Sequence, residues 1–318
     1  MKKLFLLSLV VLFFSCKKET PEDLAIKEIP VEFKIERFDK MFYESEPEDL
    51  TSIKSKYPFF FPEGNEDTVW INKMHNPLLQ DLYKEVKIKY TNTSDLEKGL
   101  ESLFARIQYY FPSYKTPRVI TLISEVDTDA KAIYADSIAL VSLDCYLGAE
   151  HRFYVDFPEY QRVGFNQDQI LPDLVTSFSY GKIAPPVNKS LLALMVYYGK
   201  ELYLKDVLLP DVTDAAKIAY TDNQIQWCKE NEFQMWSYFV ENNILYEANN
   251  KNEFRFINDA PFSKFYLEID NESPGRVGQW IGWQIVRSYM EHNKVSLDQM
   301  LATDAKTIFE QSRYKPRK

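Results

Sequence analysis

The amino-acid sequence predicts an α+β fold in which a small antiparallel sheet precedes a mostly helical C-terminal half. Three runs of β-branched or apolar residues, at 118–124, 131–135 and 137–144, are separated by turn signals. From residue 168 onward, the apolar residues instead recur at helical spacing. Strands followed by helices along the chain are typical of an α+β domain.

The three strand runs are expected to pair as an antiparallel meander. The segment Asp127-Thr128-Asp129 and then Asp136 mark the turns between consecutive runs. Nearer the N-terminus, Val31, Phe33 and Ile35 alternate with charged residues, which predicts one further, half-buried strand.

Capping patterns and prolines delimit the predicted helices. Ser94 and Glu97 have the spacing of a capping box ahead of a helix that ends near Pro112. Further helices are predicted at 168–181, 189–205, 222–242, 275–292 and 297–312. Two of these begin with capping boxes, Thr221 with Gln224 and Ser296 with Gln299.

Two glycines lie one turn apart within the helix predicted at 275–292. Gly278 and Gly282 each cost about 1 kcal/mol of helix propensity relative to alanine. We therefore expect a compensating interaction, namely the close approach of another backbone to this helix.

The first 16 residues have the pattern of a lipoprotein export signal. Lys2 and Lys3 precede an apolar run that ends at Phe14, and this run is about half of the ~20 apolar residues that a membrane-spanning helix needs. Ser15 lies directly before Cys16, which suits cleavage before an acylated cysteine. An ordinary export signal with a chance cysteine is the alternative.

The expected organisation is a signal peptide at 1–15, a lipidated tether at 16–28 and a single α+β domain at 29–318. Residues 17–28 are polar and charged and include a proline, a composition typical of a tether. Membrane lipid is thus an expected partner through acylated Cys16. We expect the protein in the cell envelope, with its domain facing the periplasm.

Charge and cysteine content exclude several classes of function. The sequence has 38 basic and 47 acidic residues and a formal net charge of −9. No basic patch stands out to bind phosphates, so we expect no nucleic-acid partner. The basic segment 313–318 is expected to be a solvated end.

Beyond Cys16, only Cys145 and Cys228 remain, which are too few for a disulfide scaffold. We expect both to be buried thiols, and a single disulfide is the alternative.

The sequence lacks the common signatures of catalytic and cofactor sites. It has no Gly-rich phosphate loop, no Gly-x-Ser-x-Gly elbow and no Cys-x-x-Cys pair. Its three histidines, His75, His151 and His292, lie too far apart for a His-x-x-x-His zinc motif. We therefore expect neither a cofactor nor a metal. His151, between Glu150 and Arg152, is either a structural residue or a base or interface contact.

The segment around Arg276 is the least ordinary in the sequence. Turn residues there give way to a helix start, where free backbone N–H groups attract anions. Arg276 and Arg287 can add charge-assisted hydrogen bonds to a carboxylate, and ion pairing inside the fold is the alternative. A small-ligand pocket bordered by Tyr180, Tyr197 and Trp280 is a weaker hypothesis.

The mature chain resembles the gliding motility-associated lipoprotein family called GldB. Besides the signal with Cys16, the segments that carry the resemblance are 142–148, 171–186, 197–200, 227–236 and 272–290. The resemblance implies an envelope lipoprotein required for gliding over surfaces and linked to the type IX protein secretion machinery. Its implied partners are other gliding or secretion proteins of the envelope, and it implies no reaction.

A more distant resemblance concerns the order of elements, which is similar to that of predicted zinc peptidases of the zincin type. Those proteins carry His-Glu-x-x-His on one helix and a Glu-Gly pair on the next. The corresponding residues here are Ser177 to Gly181 and Tyr198-Gly199. All three metal ligands are missing, and Phe178 replaces the general-base Glu. The resemblance implies a degenerate peptidase scaffold whose cleft survives as a binding groove.

Two classes of function therefore remain open. The first is a non-catalytic scaffold or partner-binding lipoprotein. Its candidate groove residues are Asp144, Tyr146, His151, Tyr180, Tyr198, Arg276, Trp280 and Arg287. The alternative is an envelope hydrolase with a non-standard site that uses Asp144, Asp173, Glu201 or His151, because two carboxylates brought together can act as acid and base.

Overall fold

A computed structural model of the chain describes residues 20–268 and 270–318. The predicted signal peptide and Cys16 lie outside the described residues. The strands are β1 (Ile35–Arg37), β2 (Arg118–Leu122), β3 (Ala132–Ala135) and β4 (Ile138–Ser142). The helices of the N-terminal half are α1 (Pro21–Lys27), α2 (Phe38–Tyr43), α3 (Leu50–Lys56), α4 (Asp67–Met74), α5 (Pro77–Lys89), α6 (Ser94–Tyr110) and α7 (Glu159–Arg162). Those of the C-terminal half are α8 (Ile170–Ser179), α9 (Leu191–Leu208), α10 (Asp214–Ile218), α11 (Asp222–Glu230), α12 (Glu232–Glu241), α13 (Asn250–Phe256), α14 (Val277–His292), α15 (Leu297–Ala302) and α16 (Ala305–Ser312).

The fold class is α+β, as predicted, but the sheet is mixed rather than antiparallel. Its strand order is β1-β2-β4-β3; β2 pairs in parallel with both β1 and β4, and only β3 and β4 are antiparallel. The predicted meander is wrong because β4, rather than β3, lies beside β2. Ala139 and Val141 of β4 are fully buried, as is usual for strands inside a parallel arrangement, whereas β3 forms the edge.

The predicted strand near residue 31 is shorter than its alternating pattern suggested. Only Ile35–Arg37 pairs with the sheet, while Val31 and Phe33 precede the strand and lie half-buried against the core. Four helices that the sequence analysis did not predict, α2 to α5, follow β1 and pack on the same contiguous hydrophobic core, which extends from Phe42 to Ile308.

The capping patterns predicted two helix starts correctly and one incorrectly. Both predicted boxes at Thr221 and Ser296 form. The box at Ser94 does not form, because α6 begins one residue earlier than a Ser94 cap requires. The hydroxyl of Thr93 instead donates to the Glu97 carboxylate at 2.8 Å, and the Ser94 amide donates to Asn92.

Two long predicted helices are each divided in two. The helix predicted at 222–242 breaks at Asn231, whose side-chain amide donates to the Trp227 carbonyl at 2.9 Å. The helix predicted at 297–312 breaks before Asp304, which caps α16 by accepting from the Thr307 amide. Side chains that satisfy the free ends make each break stable.

Gly282 of α14 lies directly against the backbone of α9, and Gly278 lies against that of α13, so a second backbone does approach this helix closely, as predicted. A Cβ added to Gly282 would lie 1.7 Å from the Met195 carbonyl oxygen, and one added to Gly199 would lie 2.3 Å from the Gly282 oxygen. Gly278 likewise faces the Phe256 carbonyl. Only residues without a Cβ allow this approach, so van der Waals contact between the two helices offsets the helix-propensity cost.

Both ends of the described chain are more ordered than the sequence suggested. Residues 21–27, predicted as part of a tether, form α1, and Ile26 of this helix is 4% exposed. In the basic tail, the Tyr314 hydroxyl donates to Glu232 at 2.8 Å and its ring packs on Trp236.

Across residues 20–268 and 270–318, no helix combines the length and the hydrophobicity that a membrane-spanning segment requires.

Candidate functional site

A cleft of about 310 Å³ opens between α8, α9, α10 and the start of α14. We call it the α8–α9 cleft. It is lined by Gln169, Asp173, Thr176, Tyr180, Tyr197, Tyr198, Glu201, Leu202, Lys205, Lys217, Ile218, Ala219, Arg276 and Gln279. A second hollow of similar volume shares Asp173, Ala219 and Arg276 with it and extends toward Lys131 and Tyr160. Together the two form one continuous polar surface.

The helical period of α8 and α9 explains why polar residues meet in this cleft. Asp173 and Thr176 lie three residues apart on α8, and Tyr198, Glu201 and Lys205 follow at intervals of three and four on α9. Such spacings place side chains on one face of a helix. The opposite face of α9 packs on α14, so the polar face is the one left open.

Each acidic group of the cleft already has a cation and a hydroxyl as partners. The Glu201 carboxylate accepts from the Thr176 hydroxyl at 2.7 Å and lies 3.3 Å from the Lys205 ammonium. The Asp173 carboxylate lies 2.6 Å from the Lys131 ammonium and accepts from the Tyr146 hydroxyl at 2.8 Å. Both carboxylates are thereby fixed in orientation and compensated in charge.

The cationic groups of the cleft are also held by internal partners. Lys205 donates to the Lys217 carbonyl at 3.0 Å, and Lys217 in turn pairs with Asp206 at 3.0 Å. Arg276 pairs with Asp259 at 3.1 Å and donates to the Ala219 carbonyl at 3.2 Å. Ala219 has a left-handed backbone, with φ of 52°, which turns this carbonyl toward the arginine.

Three tyrosines form the rim of the cleft. Burial raises the pKa of Tyr180, Tyr197 and Tyr198 above that of a free phenol, and the Glu201 charge adds to each increase. The hydroxyls are therefore protonated and act as hydrogen-bond donors at neutral pH. Tyr180 is nevertheless 66% exposed as a whole residue. The rim thus presents aromatic surface together with hydroxyl donors.

The family of the chain follows from a comparison with family models. The model described as gliding motility protein GldB matches residues 19–316, nearly the whole chain. The chain belongs to the GldB family. A search of the curated proteins gave no match. A search of the solved structures likewise gave none.

The structure brings three of the predicted groove residues of this GldB-family protein into one cleft. Tyr180, Tyr198 and Arg276 line it together. Tyr146 is fully buried and is joined to the cleft through its hydrogen bond to Asp173. The other four predicted residues lie elsewhere: Asp144, His151, Trp280 and Arg287.

Asp144 supports a strained turn rather than the cleft. Its carboxylate is fully buried and accepts from the backbone amides of Ser124 at 3.0 Å and Val126 at 2.7 Å. Glu125 and Val126 both have left-handed φ, 64° and 59°, a costly conformation for non-glycine residues. Burial raises the pKa of Asp144 to about 6, against the opposing effect of these hydrogen bonds.

His151 lies on another surface, beside α5. Its Nε2 is 3.5 Å from the Glu85 carboxylate, and its Nδ1 accepts from the Phe153 amide at 3.4 Å. Arg152 also pairs with Glu85, at 3.0 Å. These contacts agree with the interpretation of His151 as a structural residue. They hold the loop that follows β4 against α5.

Arg287 and Trp280 belong to the packing between helices. Arg287 makes paired hydrogen bonds of 2.7 to 2.9 Å to Asp206 and Asp214, so ion pairing inside the fold holds for this arginine. Burial alone would lower the pKa of Arg287. The hydrogen bonds to Asp206 and Asp214 outweigh that effect, so the pKa lies above the ordinary value of an arginine. Trp280 is 3% exposed and lies in the core, so it does not border the predicted small-ligand pocket.

Two residues of the segment that was compared with the zincin motif, Ser177 and Phe178, have structural roles. The Ser177 hydroxyl accepts from the Tyr134 amide at 2.9 Å and joins α8 to β3. Phe178 packs among the rings of Phe111, Tyr114 and Tyr134. Within the described part of the chain, no group of three or more His, Cys, Asp or Glu side chains is arranged to hold a metal ion.

Both remaining cysteines are buried free thiols, as expected. The alternative of a Cys145–Cys228 disulfide is therefore wrong. Burial raises the pKa of the Cys145 thiol to about 12, which keeps it protonated and unreactive at neutral pH.

Proposed function

We propose that this GldB-family protein is an envelope lipoprotein, anchored by acylated Cys16 with its domain in the periplasm, that acts as a non-catalytic partner-binding component of the gliding apparatus. We further propose that it works together with the type IX secretion machinery. Membership of the GldB family and the N-terminal signal pattern support this assignment.

The pairing of charges in the α8–α9 cleft is the observation that supports binding over catalysis. Glu201 and Asp173 each have both a cation and a hydroxyl partner. A general base must accept a proton from its substrate, and both carboxylates already accept hydrogen bonds from internal hydroxyl groups. The same pairing keeps these side chains in one orientation, which reduces the entropy that a binding site loses when its partner docks.

The chemistry of the rim suits a segment of polypeptide. Aromatic faces at Tyr180 and Tyr198 can cover apolar side chains, while their hydroxyls can pair with a peptide backbone. We expect the occupant to be an extended segment of another envelope protein. In this proposal the cleft is what remains of a peptidase-like groove.

A motility experiment tests the binding role. Cells that lack the native gene are complemented with the full chain carrying Tyr180→Ala and Tyr198→Ala together, and gliding is scored alongside protein abundance. We expect normal abundance but lost or strongly reduced gliding. Tyr246→Ala is the matched control, because Tyr246 is 68% exposed and lies outside the cleft. Full gliding with the double variant would contradict a role for the cleft.

Anchoring is tested separately with Cys16→Ser. We expect this variant to lose acylation and to move from the membrane to the soluble periplasmic fraction while its domain remains folded. Fatty-acid labelling and membrane association that persist in the variant would contradict the lipid anchor.

A hydrolase remains the second candidate because Asp173 and Glu201 line one cleft. Two carboxylates on either side of a bond are the usual acid and base of glycoside hydrolases. Purified protein without a histidine tag is therefore analysed for metal and for hydrolysis of peptides and glycans. We expect no stoichiometric zinc and no turnover. An activity that disappears in both Asp173→Asn and Glu201→Gln would promote the enzyme.

A further inference from the structure

The docking of α1 determines where the membrane anchor leaves the domain. Asp23 of α1 pairs with Arg106 of α6 at 3.0 Å, and the Tyr110 hydroxyl of α6 donates to Glu22. Thr20 closes a capping box with Asp23, and Ile26 is buried against the domain. The chain is thus fixed to the domain surface from Thr20 onward.

Few residues consequently separate the proposed anchor from the docked part of the chain. Cys16 precedes Thr20 by four residues, and a fully extended chain spans at most about 14 Å over that length. A tether that ran free to residue 28 would have spanned about 40 Å. The docking of α1 therefore removes most of the reach that the sequence alone suggested.

The surface around the anchor exit is compatible with a layer of lipid headgroups. A hollow of about 720 Å³ there is bordered by α1, by α6 and by the residues that follow α9, and it carries no net charge. Its acidic side chains are Asp23, Glu101 and Asp211, and its basic side chains are Lys27, Lys98 and Arg106. The two lysines between the anchor and the domain, Lys17 and Lys18, add attraction to anionic headgroups.

We propose that the short segment between Cys16 and Thr20 holds the α1–α6 face of the domain against the membrane surface, with lipid headgroups as its partner. This inference rests on the proposed acylation of Cys16. It adds an orientation: the end of α9 that adjoins α1 lies next to the membrane. The start of α9 is about 27 Å along the helix from that end.

Fluorescence quenching in proteoliposomes tests the orientation. The full lipidated chain receives one new cysteine at a time, Ser102→Cys on α6, Val187→Cys before α9 or Tyr246→Cys near the start of α9, and each is labelled with a fluorophore. These sites are exposed, whereas Cys145 and Cys228 are buried. The vesicles contain phosphatidylethanolamine and phosphatidylglycerol with a nitroxide on the headgroup.

We expect several-fold stronger quenching at position 102 than at position 187 or 246. Equal quenching at the three positions, or stronger quenching at either of the latter, would overturn the proposed orientation. A second variant inserts twelve Gly and Ser residues between Lys18 and Glu19. It should reduce quenching at position 102 toward that of the other sites, and unchanged quenching would contradict the role of the short segment.

Mass spectrometry of the same samples separates this inference from the proposed function. If Cys16 carries no acyl chain, the proposed anchor itself fails. If Cys16 is acylated and the three positions are quenched alike, only the orientation fails.

Discussion

The two faces of α9 differ in what lies against them. On one face, Met195 and Gly199 meet the backbone of α14 at distances that exclude even a methyl group. On the other face, Tyr198, Glu201 and Lys205 line the α8–α9 cleft. Backbone contact holds the helices together on the first face, while polar side chains line the second. One helix thus provides both a rigid support and a surface for recognition.

The packed face should be the more sensitive of the two to a single methyl group. We expect Gly282→Ala to lower the free energy of unfolding by about 3 kcal/mol, the upper end of typical overpacking costs, because its Cβ would lie 1.7 Å from the Met195 oxygen. Urea unfolding measures this change. Gly164→Ala is the control, since its Cβ would lie 3.4 Å from the nearest atom, the Lys131 ammonium, which is an ordinary contact distance. Equal stability of the two variants would contradict the close contact.

A buried lysine makes the stability of the packed side depend on pH. The Lys200 ammonium donates to the carbonyls of Leu301 and Thr303 at 2.8 and 2.5 Å, and burial lowers the pKa of Lys200 to about 8. A lowered pKa means that the folded state binds this proton less tightly than the unfolded chain does. The stability that the neutral form of Lys200 provides is therefore present above the pKa of this lysine in the unfolded chain. It is lost as the pH falls through about 8.

Relative to Lys200→Met, the native protein should gain about 1 kcal/mol of unfolding free energy between pH 7 and pH 9. Urea unfolding of both proteins at a series of pH values gives the two slopes. Parallel slopes would show that the lysine keeps an ordinary pKa in the folded protein.

The cleft face should tolerate truncation with little loss of stability. Tyr198 is only half-buried, so we expect Tyr198→Ala to cost at most about 1 kcal/mol. Thermal unfolding provides the measurement. A loss as large as that of Gly282→Ala would mean that the tyrosine holds the fold together and that the two faces of α9 do not differ as described.

The sequence predicted the packed face better than the cleft. The spacing of Gly278 and Gly282 can be recognised within a single helix. It predicts a close backbone contact whichever segment of the chain supplies the partner helix. Arg276 reaches this cleft, and Lys131 reaches the adjoining hollow, from distant segments, and no local pattern predicts that convergence.

The sheet and the N-terminal helix show the same limit. The apolar residues of β2 and β4 fit parallel and antiparallel pairing equally well. The order of the strands therefore depends on how the connecting segments pack, which no local sequence pattern shows. Likewise, the polar segment of α1 resembled a tether because its partners, Arg106 and Tyr110, lie more than eighty residues away. Docking of a short polar helix depends on those distant residues.

Site-specific photo-crosslinking in living cells tests the central claim, that the α8–α9 cleft binds a protein partner. A photoreactive phenylalanine analogue replaces Tyr180 or, as the matched control, Tyr246, which are 66% and 68% exposed. We predict a discrete crosslinked adduct with one envelope protein from position 180, and none from position 246. No adduct at position 180, or the same adducts at both positions, would contradict the claim.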